Sequence, residues 1–385
     1  MDKTLQIKNY PVNSWLSSAD VYKAGITFEY VMEKYGFKRE DILRLAGNES
    51  TIGTSPKAVA AASEACKSSN FYDEPQSEEL ISLLEAKFAE EIDMSQLAIT
   101  VGNGMDRVIE QCLNLFTQRG DSIINFSPSF VFYDFAASRL GLKIFDLGRD
   151  ENFYPNLNDI ETKINDYQAE SNSEIKIIFL CTPNNPTGTI TDIEEIENLA
   201  KICEQKNIIL FVDHAYIEFT DRNKYDARNI INKYPNMIIG YTFSKAYGLA
   251  GYRVGYGLMH KELQNTYLKY NTPFLCAKPS LKAAKAALED TEHFNLIIEN
   301  NNSEKPKLSK ALEELGFKVS PSEANFLLVD TANSRYHNSE ELLEDMLSKG
   351  IILRKAHSIS DTAMRITIGT VAENQRLIEA LAIQT

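Results

Sequence analysis

Apolar and polar positions along this chain follow two periods, and from about residue 76 the two alternate. The stretch 76–91 places Leu80, Ile81, Leu84 and Phe88, with Ile92 just beyond, close to a helical period, which predicts a helix. LAITV (97–101) predicts a strand, followed by a Gly-Asn-Gly turn and an amphipathic helix through Phe116. SIINF (122–126), KIIFLC (176–181), IILFVD (208–213) and MIIGY (237–241) are short apolar runs of the kind found in strands buried on both faces. Between two of them, Ile193, Ile196, Leu199, Ala200 and Cys203 mark one side of a helix, with Thr191 and Glu194 spaced as a capping box. Such alternation predicts an α/β fold with a mostly parallel sheet covered on both faces.

The last third changes character. The pattern predicts a helix over 304–315, a strand over 325–329, a helix over 339–349, strands near 351–354 and 364–368, and a closing helix opened by a capping box at Thr370 and Glu373. This reads as a smaller α+β domain. The expected division is an arm and short helix over 1–45 that packs on the small domain, a large domain over 46–274, and the small domain over 275–385.

Composition narrows the function. The 385 residues carry a formal charge of −14, which argues against a broad nucleic-acid or anionic-membrane surface but leaves room for a local basic pocket. Five scattered cysteines without a CxxC pair fit a reducing compartment better than a disulfide framework or zinc knuckle. The opening residues lack the apolar core of a signal peptide, and no run is long enough to span a bilayer. A cytoplasmic location is expected. Trp15, His260, His293, His337 and His357 show no metal-ligand spacing and read as packing or surface residues.

Four segments carry chemistry, each where a strand ends and a loop begins, the place where open α/β sheets bind ligands. In GYTFSKAYGLAGYRVGYG (240–257), Lys245 follows an apolar strand. A lysine partly desolvated there can lose its proton and attack an aldehyde, and Arg253 could hold a phosphate by a forked pair of bonds. Alone, the segment is also compatible with a solvated lysine in a glycine-rich loop. In IILFVDHAYIEF (208–219), Asp213 ends an apolar run, so its carboxylate should be buried and in need of a cation; Tyr216 could donate to a phenolate oxygen. A turn-capping aspartate is the plainer alternative. In CTPNNPTG (181–188), prolines and a glycine set a turn expected to leave Asn184 and Asn185 projecting at the sheet edge. In TVGNGMDRVIEQCLNLF (100–116), the helix after Gly104 would aim free N–H groups at an anion. A dinucleotide fingerprint fails there, because Arg107 replaces its third glycine. Together these are the needs of pyridoxal phosphate: a Schiff-base lysine, a pyridinium partner, a ring-hydroxyl donor and a phosphate cup.

The motifs resemble the class I/II aminotransferases of fold type I, and most closely the histidinol-phosphate aminotransferase branch. The similarity runs from about Tyr22 to Leu381 and includes LAGNES (45–50), NFYDEPQSEEL (70–80), VGNGMD (101–106), SPSFVFY (127–133), PNNPTG (183–188), ANFLLV (324–329), GIILR (350–354) and MRITIGT (364–370). The resemblance implies a seven-stranded, mostly parallel sheet between helices in the large domain. It also implies pyridoxal 5'-phosphate on Lys245, Asp213 against the ring nitrogen, Asn185 and Tyr216 at the ring hydroxyl oxygen, and Phe130 stacked on the ring. Gly104, Met105, Asp106, Thr242, Ser244 and Arg253 would surround the phosphate, Met105 by its backbone. Tyr72 would reach the phosphate of a neighbouring subunit, which implies a homodimer with shared active sites. Arg354, Arg365 and Tyr22 would grip the substrate, with Asn48 beside it.

The implied reaction moves the amino group of histidinol phosphate to 2-oxoglutarate, with Lys245 carrying the Cα proton. Alternatives on the same scaffold are an amino-acid or aromatic aminotransferase of a specialised pathway and a threonine-phosphate decarboxylase. The chain departs from the branch pattern at Arg107 and His214, where Glu is usual, and at Tyr241, where Arg is usual. A cofactor-binding regulator would need a basic helix-turn-helix segment, for which 1–45 leaves no room. Arg354 on its own could also be a surface cation.

Overall fold

The computed structural model describes residues 13–18 and 25–383. Its amino-terminal part holds α1 (Phe28–Tyr35), the short strand β1 (Leu43–Arg44), α2 (Pro56–Cys66) and α3 (Glu78–Ala89). Next come β2 (Leu97–Gly102), α4 (Met105–Phe116), β3 (Ser122–Asn125), α5 (Phe132–Arg139), β4 (Lys143–Asp146), α6 (Ile160–Ser171), β5 (Ile175–Cys181) and α7 (Ile193–Gln205). The chain continues through β6 (Ile209–Asp213), α8 (Arg222–Tyr225), β7 (Met237–Thr242), β8 (Gly255–His260), α9 (Lys261–Tyr270), α10 (Lys278–Glu289) and α11 (Thr291–Glu314). It closes with β9 (Lys318–Val319), β10 (Phe326–Asp330), α12 (Ser339–Ser348), β11 (Ile351–Ile352), β12 (Arg354–Lys355), β13 (Ala363–Thr367) and α13 (Val371–Ala382).

Seven strands form one sheet in the order β2-β8-β7-β6-β5-β3-β4. All neighbours are parallel except β8, which runs antiparallel to both β2 and β7. The apolar runs are buried on both faces because their residues alternate between two cores. Ile178, Leu180, Leu210, Val212, Met237 and Ile239 face one side with α2, α3, α7 and α10. Ile177, Phe179, Ile209, Phe211 and Ile238 face the other with α4, α5 and α9. By the same alternation, Asp213 at the end of β6 lies on the α4–α5 side.

A four-stranded antiparallel sheet, β12-β13-β10-β9, builds the second unit, while β1 pairs in parallel with β11. Val31 of α1 and Leu43 of β1 join its core with Leu308, Leu312, Met346 and Leu377. The change of core falls along α11, past the expected residue 275: α10 still buries Leu281, Ala284 and Leu288 in the large-sheet core. The helix expected over 304–315 is the end of the longer α11, which runs through Pro306 and the weakly helix-forming Asn300–Asn302 run. The capping box of α7 lies one residue later than expected, at Asp192 and Glu195, because Thr191 is buried with its N–H on Thr182 Oγ1. That of α13 forms at Thr370 and Glu373 as expected. Among the described residues, no helix is long and apolar enough to cross a membrane.

Candidate active site

The carboxyl ends of β5, β6 and β7, the start of α4, and β12 and β13 of the small sheet enclose a cavity of about 580 Å³. Lys245, Asp213, Tyr216, Met105, Asp106, Phe130, Asn185, Thr242, Ser244, Arg253, Asn48, Arg354 and Arg365 all line it. Residues far apart in sequence therefore meet at one place. Gly104 sits just behind the lining as the N-cap of α4, with φ 80°. Tyr72 does not line the cavity of its own chain: it is 82% exposed, and its ring lies 4.6 Å from that of Phe274, tilted by 31°. Tyr22 lies outside the described residues.

Asp213 is 1% exposed. Tyr133 Oη donates to its Oδ2, and the Ala215 N–H donates to Oδ1 at 3.0 Å. Burial raises this carboxyl from 3.8 to about 6, against the pull of those two donors. Lys245 Nζ donates to the Gly47 carbonyl at 3.0 Å and lies 5.8 Å from the Tyr216 ring centroid. Burial and the Arg365 guanidinium bring its ammonium down to about 8, so a neutral, nucleophilic amine is within reach at physiological pH. Tyr216 accepts from Asn48 Nδ2 at 3.0 Å, and burial pushes its phenol up.

The start of α4 meets the loop after β7. Its N-cap glycine offers no side-chain acceptor, so the Met105 and Asp106 N–H groups stay available to an anion, while that of Arg107 donates to the Gly104 carbonyl at 3.2 Å. Arg253, in the left-handed region at φ 56°, places Nη2 2.8 Å from Asp106 Oδ2, beside Ser244, whose hydroxyl accepts from Thr242 Oγ1 at 3.0 Å. The Met105 thioether packs against Gly240, consistent with a backbone role at the helix start. On the opposite wall, Arg365 donates to Asn185 Oδ1 and, at 2.7 Å, to the Ala46 carbonyl. Arg354 is its register partner on β12.

Asn184 does not project from the turn as expected. It is fully buried, donating to the Pro128 carbonyl and Thr187 Oγ1 and accepting from Ser129 and Arg149. Asn185 alone faces the cavity. Sequence reasoning missed Arg44 and Glu49 on the cavity wall, 3.6 Å apart, and Tyr133 behind Asp213. His357, read as a packing or surface residue, is exposed at the cavity rim. His214 and Tyr241 lie outside the cavity, in a buried network: His214 accepts the Ala227 N–H at 3.0 Å, and Tyr241 donates to Asp226 at 2.7 Å.

A family model for aminotransferases of class I and II matches residues 40–381. The chain belongs to this family. It is 36% identical over 365 residues to the histidinol-phosphate aminotransferase of Methanosarcina mazei, covering 94% of this chain and 93% of that protein. Its fold superposes with a TM-score of 0.83 on histidinol-phosphate aminotransferase from Sinorhizobium meliloti in complex with pyridoxal-5'-phosphate, at 23% identity and 96% coverage of both chains. L-threonine-O-3-phosphate decarboxylase from Porphyromonas gingivalis matches at TM-score 0.73 and 26% identity, over 88% of this chain and 98% of that one.

As a class I and II aminotransferase, the protein is a pyridoxal-phosphate-dependent transferase. The cavity fits that cofactor. Asp213 is a buried carboxylate with no ion-pair partner among the described residues, Lys245 is an amine with a lowered pKa, and a helix start with an arginine beside it suits a phosphate. Gly255 lets β8 approach this cup, since a Cβ there would lie 2.3 Å from the Met105 nitrogen. Gly255→Ala should therefore displace the start of α4, costing about 1–3 kcal/mol of stability. Cofactor titration should show affinity reduced by roughly tenfold, the size of one lost anion contact; unchanged affinity would mean that the helix start is not the phosphate cup.

Proposed function

We propose that this aminotransferase moves the amino group of histidinol phosphate to 2-oxoglutarate, acting as a cytoplasmic homodimer. The observation that carries the reading is the pair Arg354 and Arg365, directly opposite on neighbouring antiparallel strands at the cavity wall. Like charges so placed repel each other, and a substrate phosphate between them would turn that repulsion into binding. Likeness to the Methanosarcina mazei enzyme over nearly its whole length supports the choice of substrate.

In this reading, Asp213 holds the ring nitrogen, Asn185 and Tyr216 meet the ring hydroxyl oxygen, and Phe130 covers one ring face. The Gly104–Asp106 backbone, Thr242, Ser244 and Arg253 hold the cofactor phosphate. Asn48, which bonds Tyr216 and also accepts on its carbonyl from Asn325, ties the cavity to the small sheet beside the substrate. By the family resemblance, Tyr22, which lies outside the described residues, would join Arg354 and Arg365 in gripping the substrate phosphate. Tyr72, exposed on its own chain, serves the phosphate site of the second subunit. When bound, the cofactor withdraws electrons and makes the substrate Cα proton removable. Lys245 would take that proton from Cα on its Nζ, and its lowered pKa suits an amine that must both accept and release a proton.

A donor panel of histidinol phosphate, glutamate, aromatic amino acids and O-phosphothreonine tests the substrate. Histidinol phosphate should give the highest kcat/KM. Arg354→Ala should raise KM for phosphorylated donors by about 10–100-fold, the worth of one charge-assisted bond, and leave glutamate within about twofold. An equal loss for every donor would reject a phosphate-reading role. Carbon dioxide released from O-phosphothreonine without amino transfer would reject the proposed reaction.

A further inference from the structure

Asp213 is held by a residue that the reading above leaves without a task. The turn of α5 over the β-sheet brings Tyr133 to the face on which Asp213 projects. Tyr133 is fully buried, its ring parallel to Phe179 at 4.7 Å and 8°, and edge-on to Phe130 at 5.6 Å and 87°. The two rings fix the position of its hydroxyl oxygen, which donates to Asp213 Oδ2 and also lies beside the Cys181 thiol. The Ala215 N–H holds Oδ1. Each oxygen thus has one protein donor and keeps lone-pair capacity for a donor in the cavity. The other titratable groups acting on Tyr133 and Asp213 are Cys181 on β5, Asp106 on α4, Tyr216 after β6 and Lys245 after β7; Arg149, on the loop after β4, acts on Tyr133. None of these is hydrogen-bonded to the carboxylate, so Tyr133 is its one side-chain donor among the described residues.

We propose that Tyr133 is the positioning residue of Asp213: its buried O–H fixes the carboxylate's orientation toward the cavity and favours its ionised form, so that it meets a protonated ring nitrogen. The proposal rests on the assignment of Asp213 to that nitrogen. Through its edge contact with Phe130, the same side chain also sets the ring expected to lie against the cofactor's face.

The test compares wild-type holoenzyme with Tyr133→Phe, using pyridoxal phosphate and an analogue in which CH replaces the ring nitrogen. Tyr133→Phe should weaken pyridoxal phosphate about 10–100-fold, as expected for a bond to a charged group, and lower kcat to a similar degree with KM for the amine nearly unchanged. For the analogue, the two proteins should bind within about twofold of each other. Equal losses for cofactor and analogue would make Tyr133 a packing residue and overturn the proposal, as would unaltered cofactor affinity. Asp213→Asn separates the two ideas. If it weakens the cofactor while Tyr133→Phe does not, only the positioning role fails; if it binds normally, the assignment of Asp213 fails and takes this proposal with it. Should Tyr133→Phe not fold, Phe179→Leu unclamps the same ring and should show a several-fold loss confined to the cofactor.

Discussion

Lys245→Ala should lower turnover by at least about 10³-fold, within the range expected for a positioned proton-transfer group and extended here by a second task. The amine is asked both to hold the cofactor aldehyde and to carry the Cα proton, and no other lysine in the cavity is placed to do so: Lys355 points to Glu340 on α12. The cofactor-free variant should lose no stability, since burial disfavours the Lys245 ammonium and Nζ bonds a single backbone carbonyl at the cavity wall. Rapid-mixing assays with histidinol phosphate would measure the loss, and added methylamine should restore part of the rate by replacing the missing amine. A variant retaining more than about a tenth of wild-type turnover would contradict the role.

Asp213→Asn is expected to weaken cofactor binding by about 10²–10³-fold, the scale of breaking a buried ion pair. It should also do something less intuitive. The folded carboxyl titrates near 6 and its ordinary value is 3.8, so the folded chain holds this proton more tightly than the unfolded one. Its contribution to stability is therefore fully present below about 3.8 and is lost as pH rises through 6. At pH 7.5 the cofactor-free protein carries a penalty of about 3 kcal/mol from this one buried group. Asp213→Asn removes the penalty. The cofactor-free variant should unfold at a higher temperature than wild type at pH 7.5, and the gap should close toward pH 4. Bound cofactor should reverse the order by giving the wild-type carboxylate its cation. Calorimetry across that pH range checks both signs, and a variant less stable at every pH would show that the carboxylate is satisfied without cofactor.

Much of this arrangement was legible in the residues. Apolar runs marked β3, β5, β6 and β7 to within a residue or two, and the chemistry lay where those runs stopped, at Cys181, Asp213 and Thr242. Other parts were hidden for physical reasons. Strand β8 has the sequence GYGLMH, whose glycines read as loop, yet they are what lets the strand pass the start of α4. Strand β4 sits at the sheet edge with a largely exposed pattern, so it lacks the apolar signature of its neighbours. Tyr133 stood in a recognised motif, SPSFVFY, but only the period-2 alternation along β6 combined with the packing of α5 reveals that it reaches Asp213. Asn184 and Asn185 look equivalent in sequence; the turn buries one and presents the other. Tyr72 illustrates the opposite case, because a side chain assigned to a neighbouring subunit's phosphate has no place in its own chain's cavity.

The most direct check is to treat the holoenzyme with borohydride, digest it and map the mass added by the reduced cofactor. The account predicts a single modified peptide, with the pyridoxyl group on the side-chain nitrogen of Lys245. A label on another lysine, or full release of the cofactor with residue 245 unmodified, would contradict it.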